Sequence, residues 1–244
     1  VGAATTSVTL AAESIDANAP TVASVSVADA AMKVGDTVTA TITVSGATGE
    51  TLSLESSTIG GFALGSLSKT NDTTYTATFT VADGGADVAA GSDIPVSIVL
   101  SDPSGNVSGT FTTAISQTLD AIDANAPTVA SVSVADGTYK IGDTVAVTIT
   151  ATGNETGLTL SSATFNGQTL TGINDVGDGT YTATYTVVET DADIADGGTV
   201  TTSLAFTDVA GNVGAATTSV TLAAESIDAN APTVASVSVA DGTY

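Results

Sequence analysis

The chain has 244 residues, of which 42% are hydrophobic and 4% aromatic, and its 26 acidic and three basic residues give a formal net charge of −23. Such a surface repels nucleic acids and anionic membranes, which argues against both as partners. Cysteine and histidine are absent, which excludes disulfides and thiolate or imidazole metal sites, and no apolar run is long enough for membrane insertion.

A six-residue phrase, IDANAP, starts at residues 15, 122 and 227, and each copy continues into TVASVSVAD. The period of 107 and then 105 residues indicates tandem domains rather than one large domain. Residues 1–29 are identical to residues 213–241, so we expect the chain to be an excerpt from a longer array. The predicted organisation is the last strand of a preceding repeat at 1–14, complete repeats at 15–121 and 122–226, and the first strand of a following repeat at 227–244.

Short strands with alternating apolar and polar residues follow one another through each repeat. In the first repeat they are predicted at 36–44, 71–81 and 94–102, with Thr or Ser on the outward face. Matching patterns recur in the second repeat at 143–150, 177–187 and 199–208. Since no stretch has a helical period, the sequence predicts an all-β fold, a Greek-key β-sandwich of about seven strands in each repeat.

Acidic and amide side chains are concentrated in the turns between these strands. If strands A to G reverse direction one after another, the FG turn lies beside the linker that enters its own repeat. The EF loop then lies at the other end, beside the next linker. The candidate site residues are Asp16, Asn18, Asp123 and Asn125 in the linkers, Asp102, Asn106, Asp208 and Asn212 in the FG turns, and Asp83, Asp87, Asp191 and Asp193 in the EF loops.

Carboxylates that converge without a basic partner repel one another unless a cation lies between them. Ca²⁺ takes about six to eight oxygen ligands in a flexible geometry that loops can supply, whereas Mg²⁺ requires a tighter octahedron. The candidate residues therefore predict Ca²⁺ sites at the junctions between repeats. The alternative is that these Asp and Asn side chains serve only as turn formers, which cap turns and tolerate left-handed backbone.

The phrase IDANAPTV, followed in each repeat by a D-x-x-G-N turn at 102–106 or 208–212, resembles the bacterial Ig-like extender repeats of giant surface adhesins. These adhesins are secreted by the type I route and are of the repeats-in-toxin kind. The resemblance covers the whole chain and implies immunoglobulin-like sandwich domains arranged end to end. It also implies that Ca²⁺ stiffens the array by binding Asp16, Asp102 and Asn106 in one repeat and Asp123, Asp208 and Asn212 in the next.

The expected function is structural, as stalk repeats at the bacterial cell surface that contact mainly the neighbouring repeats of the same array and project a distal adhesive domain. Two alternatives stay open: repeats that themselves bind a glycan or a protein, and an extracellular filament that self-assembles from such domains. The ligand of the distal domain cannot be read from this stretch. No enzyme is predicted, because the sequence lacks a histidine base, a phosphate-binding loop and a tryptophan platform for sugars.

Overall fold

The computed structural model describes residues 15–46, 49–118, 121–154 and 156–242. The chain divides into two compact units, Val1–Asn125 and Ala126–Tyr244, each with a hydrophobic core of its own. The strand predicted at 1–14 lies outside the described residues. Among those that are described, no helix has the length and apolarity needed to cross a membrane.

In the first unit, the strands form one four-stranded antiparallel sheet and several smaller ladders. The larger sheet has the order β1-β3-β8-β7, and the others are β6-β5-β9, β10-β4 and the parallel pair β11-β2. The strands are β1 (Thr21–Ser26), β2 (Met32–Lys33), β3 (Thr37–Ser45), β4 (Ser53–Leu54), β5 (Thr58–Ile59), β6 (Phe62–Ala63), β7 (Ser68–Lys69), β8 (Thr74–Thr80), β9 (Val96–Ser97), β10 (Leu100–Ser101) and β11 (Ile122–Asp123).

The second unit has two four-stranded sheets, β12-β14-β18-β17 and β16-β15-β19-β20, and the parallel pair β13-β21. This division into two facing sheets is the ABED and CFG arrangement of immunoglobulin-like sandwiches. The strands are β12 (Val129–Val134), β13 (Gly137–Lys140), β14 (Thr144–Ala151), β15 (Thr159–Phe165), β16 (Gln168–Thr169), β17 (Thr171–Asp175), β18 (Thr180–Thr186), β19 (Thr199–Thr207), β20 (Thr217–Thr221) and β21 (Glu225–Asp228), with a 3₁₀ turn at Thr152–Asn154.

The alternating patterns place their apolar residues in the two cores, which confirms the predicted all-β sandwich fold. In β3, Ala40, Ile42 and Val44 are buried, and the intervening threonines face outward against the threonines of β8. The strand predicted at 94–102 also buries its apolar side, but its regular pairing is limited to β9 and β10. The rest of this segment is joined to its neighbour by isolated bridges, such as that of Ile98 with Phe111.

The IDANAP phrase closes the preceding unit before it leads into the next one. Ile122 and Ala124 are 1% and 0% exposed in the first core, and β11 pairs in parallel with β2. The first unit therefore ends at Asn125, four residues beyond the boundary predicted at 121. Likewise Ile227 is buried in the second core and β21 extends to Asp228, so 227–228 complete the second unit. The described residues 229–242 contain no strand.

Candidate cation site at the first linker

The linker that enters the first unit is shaped by its own aspartate. The backbone N–H of Asn18 donates to Asp16 Oδ1 at 3.1 Å, which closes an Asx turn. The same bond recurs in the other two copies of the phrase, from Asn125 to Asp123 and from Asn230 to Asp228, at 3.3 Å each. The DAN triplet is therefore a turn in all three places.

The FG turn of the first unit is held rigidly and lies against this linker. Asp102 Oδ1 accepts the backbone N–H of Asn106 at 2.8 Å, and its Oδ2 accepts the Asn106 side-chain amide at 2.9 Å. The same amide donates to the carbonyl oxygen of Asp16 at 3.3 Å. The structure thus brings together Asp16, Asp102 and Asn106, the three residues predicted to share a site.

Asp102 is ionised in this setting although it is only 6% exposed. Burial opposes its charge, but hydrogen bonds from the side chain and backbone of Asn106 and from the backbone of Ser104 and Gly105 outweigh burial. Together they hold the pKa of this carboxyl below its ordinary value. The negative charge is therefore retained at neutral pH.

A third carboxylate, Glu50, completes the cluster. One carboxylate oxygen from each of Asp16, Glu50 and Asp102 lies within 4.8 Å of the other two. Glu50 Oε2 is buried, and no hydrogen-bond donor among the described residues reaches it. The Glu50 main chain is fixed because its carbonyl oxygen accepts the buried Tyr75 hydroxyl. A buried carboxylate oxygen without a donor is costly, and here two further carboxylates lie beside it.

Among the described residues, no lysine forms an ion pair with this cluster. Lys69 Nζ donates to the carbonyl oxygen of Gly49 at 2.7 Å and pairs with Asp72 at 3.2 Å. Lys140 pairs with Asp143 at 2.8 Å in the second unit. The donor set at the first linker is thus oxygen only and negatively charged, which suits a hard divalent cation rather than a soft transition metal.

Glu50 was not among the residues predicted from the sequence, although a signal for it exists. Each repeat has a Gly-rich segment with one glutamate after its second long strand, GATGET at 46–51 and TGNET at 152–156. A comparison of the two repeats would therefore have made Glu50 one candidate among the other acids that recur in both.

The FG turn of the second unit has the same internal geometry as the first. Asp208 Oδ1 accepts the backbone N–H of Asn212 at 2.8 Å, and Oδ2 accepts its side-chain amide at 2.9 Å. Asp123 belongs to the first unit and Asp208 to the second. Their predicted association with one cation therefore stays a prediction.

Each EF loop contacts the closing segment of its own unit, which is the IDAN part of the repeated phrase at 122–125 or 227–230. Asp87 Oδ1 accepts the Ala124 backbone N–H and the Asn125 side-chain amide, both at 2.8 Å. In the second unit, Asp193 Oδ1 accepts the Ala229 backbone N–H at 2.7 Å. Asp83 lies exposed in the same loop as Asp87. These contacts show that one oxygen of Asp87 and of Asp193 anchors the closing segment.

Asp191 occupies a different environment from the other EF-loop acids. It is 6% exposed, and its oxygens accept the Tyr185 hydroxyl at 2.7 Å and the Gln168 side-chain amide at 2.6 Å. Burial, followed by this bond to Asp191, raises the pKa of Tyr185. Asn166 donates to the Tyr185 hydroxyl from the other side at 3.2 Å. We therefore assign Asp191 to the core of the second unit and leave it out of the candidate cation site.

The two sandwiches, each with an Asx turn in its linker and an Asp–Asn-clipped FG turn, define a tandem immunoglobulin-like protein. Residues 16–119 and 123–224 both match the bacterial Ig-like domain family, and the chain belongs to that family. No curated protein sequence matches the chain.

The comparison with solved structures found, among others, two bacterial adhesins and a fragment of titin. The Escherichia coli adhesin FdeC is 20% identical with a TM-score of 0.41, over 82% of this chain and 63% of that one. The Yersinia pseudotuberculosis adhesin InvE is 16% identical with a TM-score of 0.29, over 81% of this chain and 58% of that one. An I-band fragment of titin is 10% identical with a TM-score of 0.37, over 86% and 65%. The chain thus spans less than two thirds of the length of these structures.

Proposed function

We propose that this chain is a segment of the stalk of a bacterial surface adhesin, in which Ig-like repeats hold a distal adhesive domain away from the cell. Two tandem domains of one bacterial Ig-like family support this role, as does a linker phrase repeated without change. In arrays of this kind each domain contacts only its neighbours, so reach increases with the number of repeats. The place of such a stalk is outside the cell, at its surface.

We further propose that Ca²⁺ binds at the first linker through Asp16, Glu50 and Asp102, with Asn106 holding the turn against the linker. The observation that carries this proposal is the buried Glu50 Oε2, which lacks a hydrogen-bond donor and lies beside two carboxylates. A cation that joins the linker to the FG turn would restrict bending at this point.

The test is thermal unfolding of the chain with excess Ca²⁺ and with a chelator. A ligand that binds only the folded state raises Tm, by the equivalent of about 2.7 kcal/mol at a hundredfold excess over Kd. We expect Ca²⁺ to raise Tm and Glu50→Gln to remove most of that rise. Glu55→Gln is the matched control, because Glu55 accepts the Ser101 hydroxyl at 2.7 Å and is not part of the cluster.

An equal rise with Mg²⁺ at matched ionic strength would contradict a site built for Ca²⁺. No rise at all, or the same loss in Glu50→Gln and Glu55→Gln, would rule out the cation site. Small-angle scattering supplies the mechanical part of the test. The stiffening proposal requires the chain to show less conformational spread with Ca²⁺ than with chelator.

A further inference from the structure

The turn between β15 and β16 contains the only Asn-Gly pair in the sequence, although the chain has nine asparagines. Phe165 pairs with Gln168, so Asn166 and Gly167 form a two-residue hairpin loop. Both have a positive φ, 50° and 82°, as a type I′ turn requires, and Asn-Gly is the pair favoured in such turns. Asn-Gly is also the dipeptide that loses ammonia most readily, because glycine has no side chain to hinder attack by its own backbone nitrogen.

The Asn166 side chain belongs to a buried hydrogen-bonded group of the second unit. The residue is 7% exposed, and its amide donates to the Tyr185 hydroxyl at 3.2 Å and to the Ala192 carbonyl oxygen at 2.9 Å. The Tyr185 hydroxyl donates its own proton to Asp191 Oδ2 at 2.7 Å. Residue 166 must therefore supply the donor, because both of its partners are acceptors here.

Deamidation converts this donor into an acceptor. The backbone nitrogen of Gly167, after losing its proton to base, attacks Cγ of Asn166. A new C–N bond forms, the bond from Cγ to Nδ2 breaks, and Nδ2 leaves as ammonia. Water then opens the five-membered imide and leaves aspartate or isoaspartate, so no oxidant or other co-reactant is required.

The folded unit opposes this reaction. Imide formation requires Cγ of Asn166 to turn toward the Gly167 nitrogen, whereas the two hydrogen bonds of the amide hold it toward the core. The backbone is held as well, because the Asn166 N–H donates to the Thr201 carbonyl oxygen at 2.8 Å. The reaction therefore depends on local or complete opening of the second unit.

We propose that Asn166 is a modification site, at which the amide is hydrolysed when the second unit opens and the product prevents the original core from re-forming. The new carboxylate faces the Ala192 carbonyl oxygen and a hydroxyl whose proton is given to Asp191. It is thus buried without a donor and close to a second carboxylate. Isoaspartate would also lengthen the two-residue turn by one backbone carbon.

Opening of the second unit is thereby recorded irreversibly, whether heat, denaturant or force causes it. The first unit is not marked in this way, because Gly60 and Gly61 form the equivalent turn between β5 and β6. The inference depends neither on the stalk function nor on Ca²⁺.

The experiment compares the chain aged in mildly alkaline buffer with the chain aged in the same buffer with guanidinium chloride. Peptide mass spectrometry follows the conversion of each asparagine. We expect Asn166 to convert first in denaturant, and at least about tenfold more slowly in the folded chain. After ageing in denaturant and refolding, the second unit should melt at a Tm lower by roughly 10 °C or more, whereas a chain refolded without ageing regains its Tm.

Two variants separate the new charge from the lost donor. Asn166→Asp reproduces one product, and Asn166→Gly is the matched control, because it removes the donor without adding charge and keeps the kind of turn formed by Gly60 and Gly61. We expect Asn166→Asp to lower Tm further than Asn166→Gly does, or to prevent folding where Asn166→Gly folds.

Three results would overturn the inference. They are an equal Tm in the two variants, conversion of Asn166 at the same rate in the folded and the unfolded chain, and an unchanged Tm after ageing and refolding. The ageing experiment needs neither variant, so it decides the matter even if both variants fail to fold.

Discussion

Gln117 is a buried polar side chain that has no hydrogen-bond partner among the described residues. It is 5% exposed, and both its amide nitrogen and its oxygen are buried. It lies two residues after Ile115, which bridges to Ile94. In the second unit Leu222 follows Val220 by the same two residues and is buried in the core. The first unit thus has an amide where the second has a leucine.

We predict that Gln117→Leu stabilises the first unit by about 1–2 kcal/mol, because an unsatisfied buried amide is replaced by an apolar group of similar size. Urea unfolding monitored by hydrogen exchange in each unit measures the change. The control is Leu222→Gln, which should destabilise the second unit. A loss of stability in Gln117→Leu would show that the amide has a partner in the folded chain.

Strand β8 with the loop after it, and β18 with the loop after it, occupy equivalent places in the two units. Different kinds of side chain pack against them. In the second unit Tyr185, Asp191 and Gln168 form a buried hydrogen-bonded group. In the first unit Phe79 and Phe62 stack with ring centroids 5.9 Å apart, and Gly85 stands in place of the aspartate. The strand and loop are similar in both units. Each core nevertheless depends on its own set of three residues, polar in the second unit and two phenylalanines with a glycine in the first.

We predict that Gly85→Ala destabilises the first unit by about 1–3 kcal/mol. A Cβ atom at this position would lie 2.5 Å from the Phe62 ring and 3.1 Å from the Ala124 Cβ, and both of those side chains are buried. Thermal unfolding measures the loss. The matched control is Gly109→Ala, because Gly109 has open space around it. Gly84→Ala is not suitable, because Gly84 has a positive φ of 79°. An equal effect of Gly109→Ala would contradict the packing argument.

At the scale of elements, the sequence predicts long strands better than short ones. The strands β3 and β8 follow from strict alternation, and their seven-residue register matches the predicted inward faces. Strand β11 and the last two residues of β21 fall within the repeats predicted to follow, because a Pro-containing phrase looks like a linker. Parallel pairing with a strand about 90 residues earlier in the chain has no local pattern by which it could be recognised.

The whole molecule combines a strongly acidic composition with two small cores. Its net charge of −23 opposes the compact state through repulsion, and the described lysines form only two ion pairs. Diffuse salt screens this repulsion, with a Debye length of about 10 Å at 0.1 M. Stability should therefore depend on ionic strength apart from any specific Ca²⁺ site.

We predict that NaCl raises Tm of the chain, and that Glu50→Gln keeps this rise while it loses the additional Ca²⁺ response. An increase of about 1 kcal/mol in the free energy of unfolding raises Tm by roughly 4–8 °C for a unit of this size. Thermal unfolding in a NaCl series, with and without Ca²⁺ at constant ionic strength, separates the two effects. A Tm that does not change with NaCl would show that charge repulsion is unimportant in the folded chain.

Taken alone, the sequence determined the number of repeats, the all-β fold, the inward faces of the long strands and the placement of acids in linkers and turns. These properties are local, since they follow from period and from the preferences of each residue. Tertiary structure alone decided that Glu50 joins Asp16 and Asp102, that Ile122 seals the preceding core, and that Asp191 is buried with Tyr185. Most of these depend on contacts between segments 30 to 90 residues apart, where strand pairing rather than local sequence determines which side chains meet.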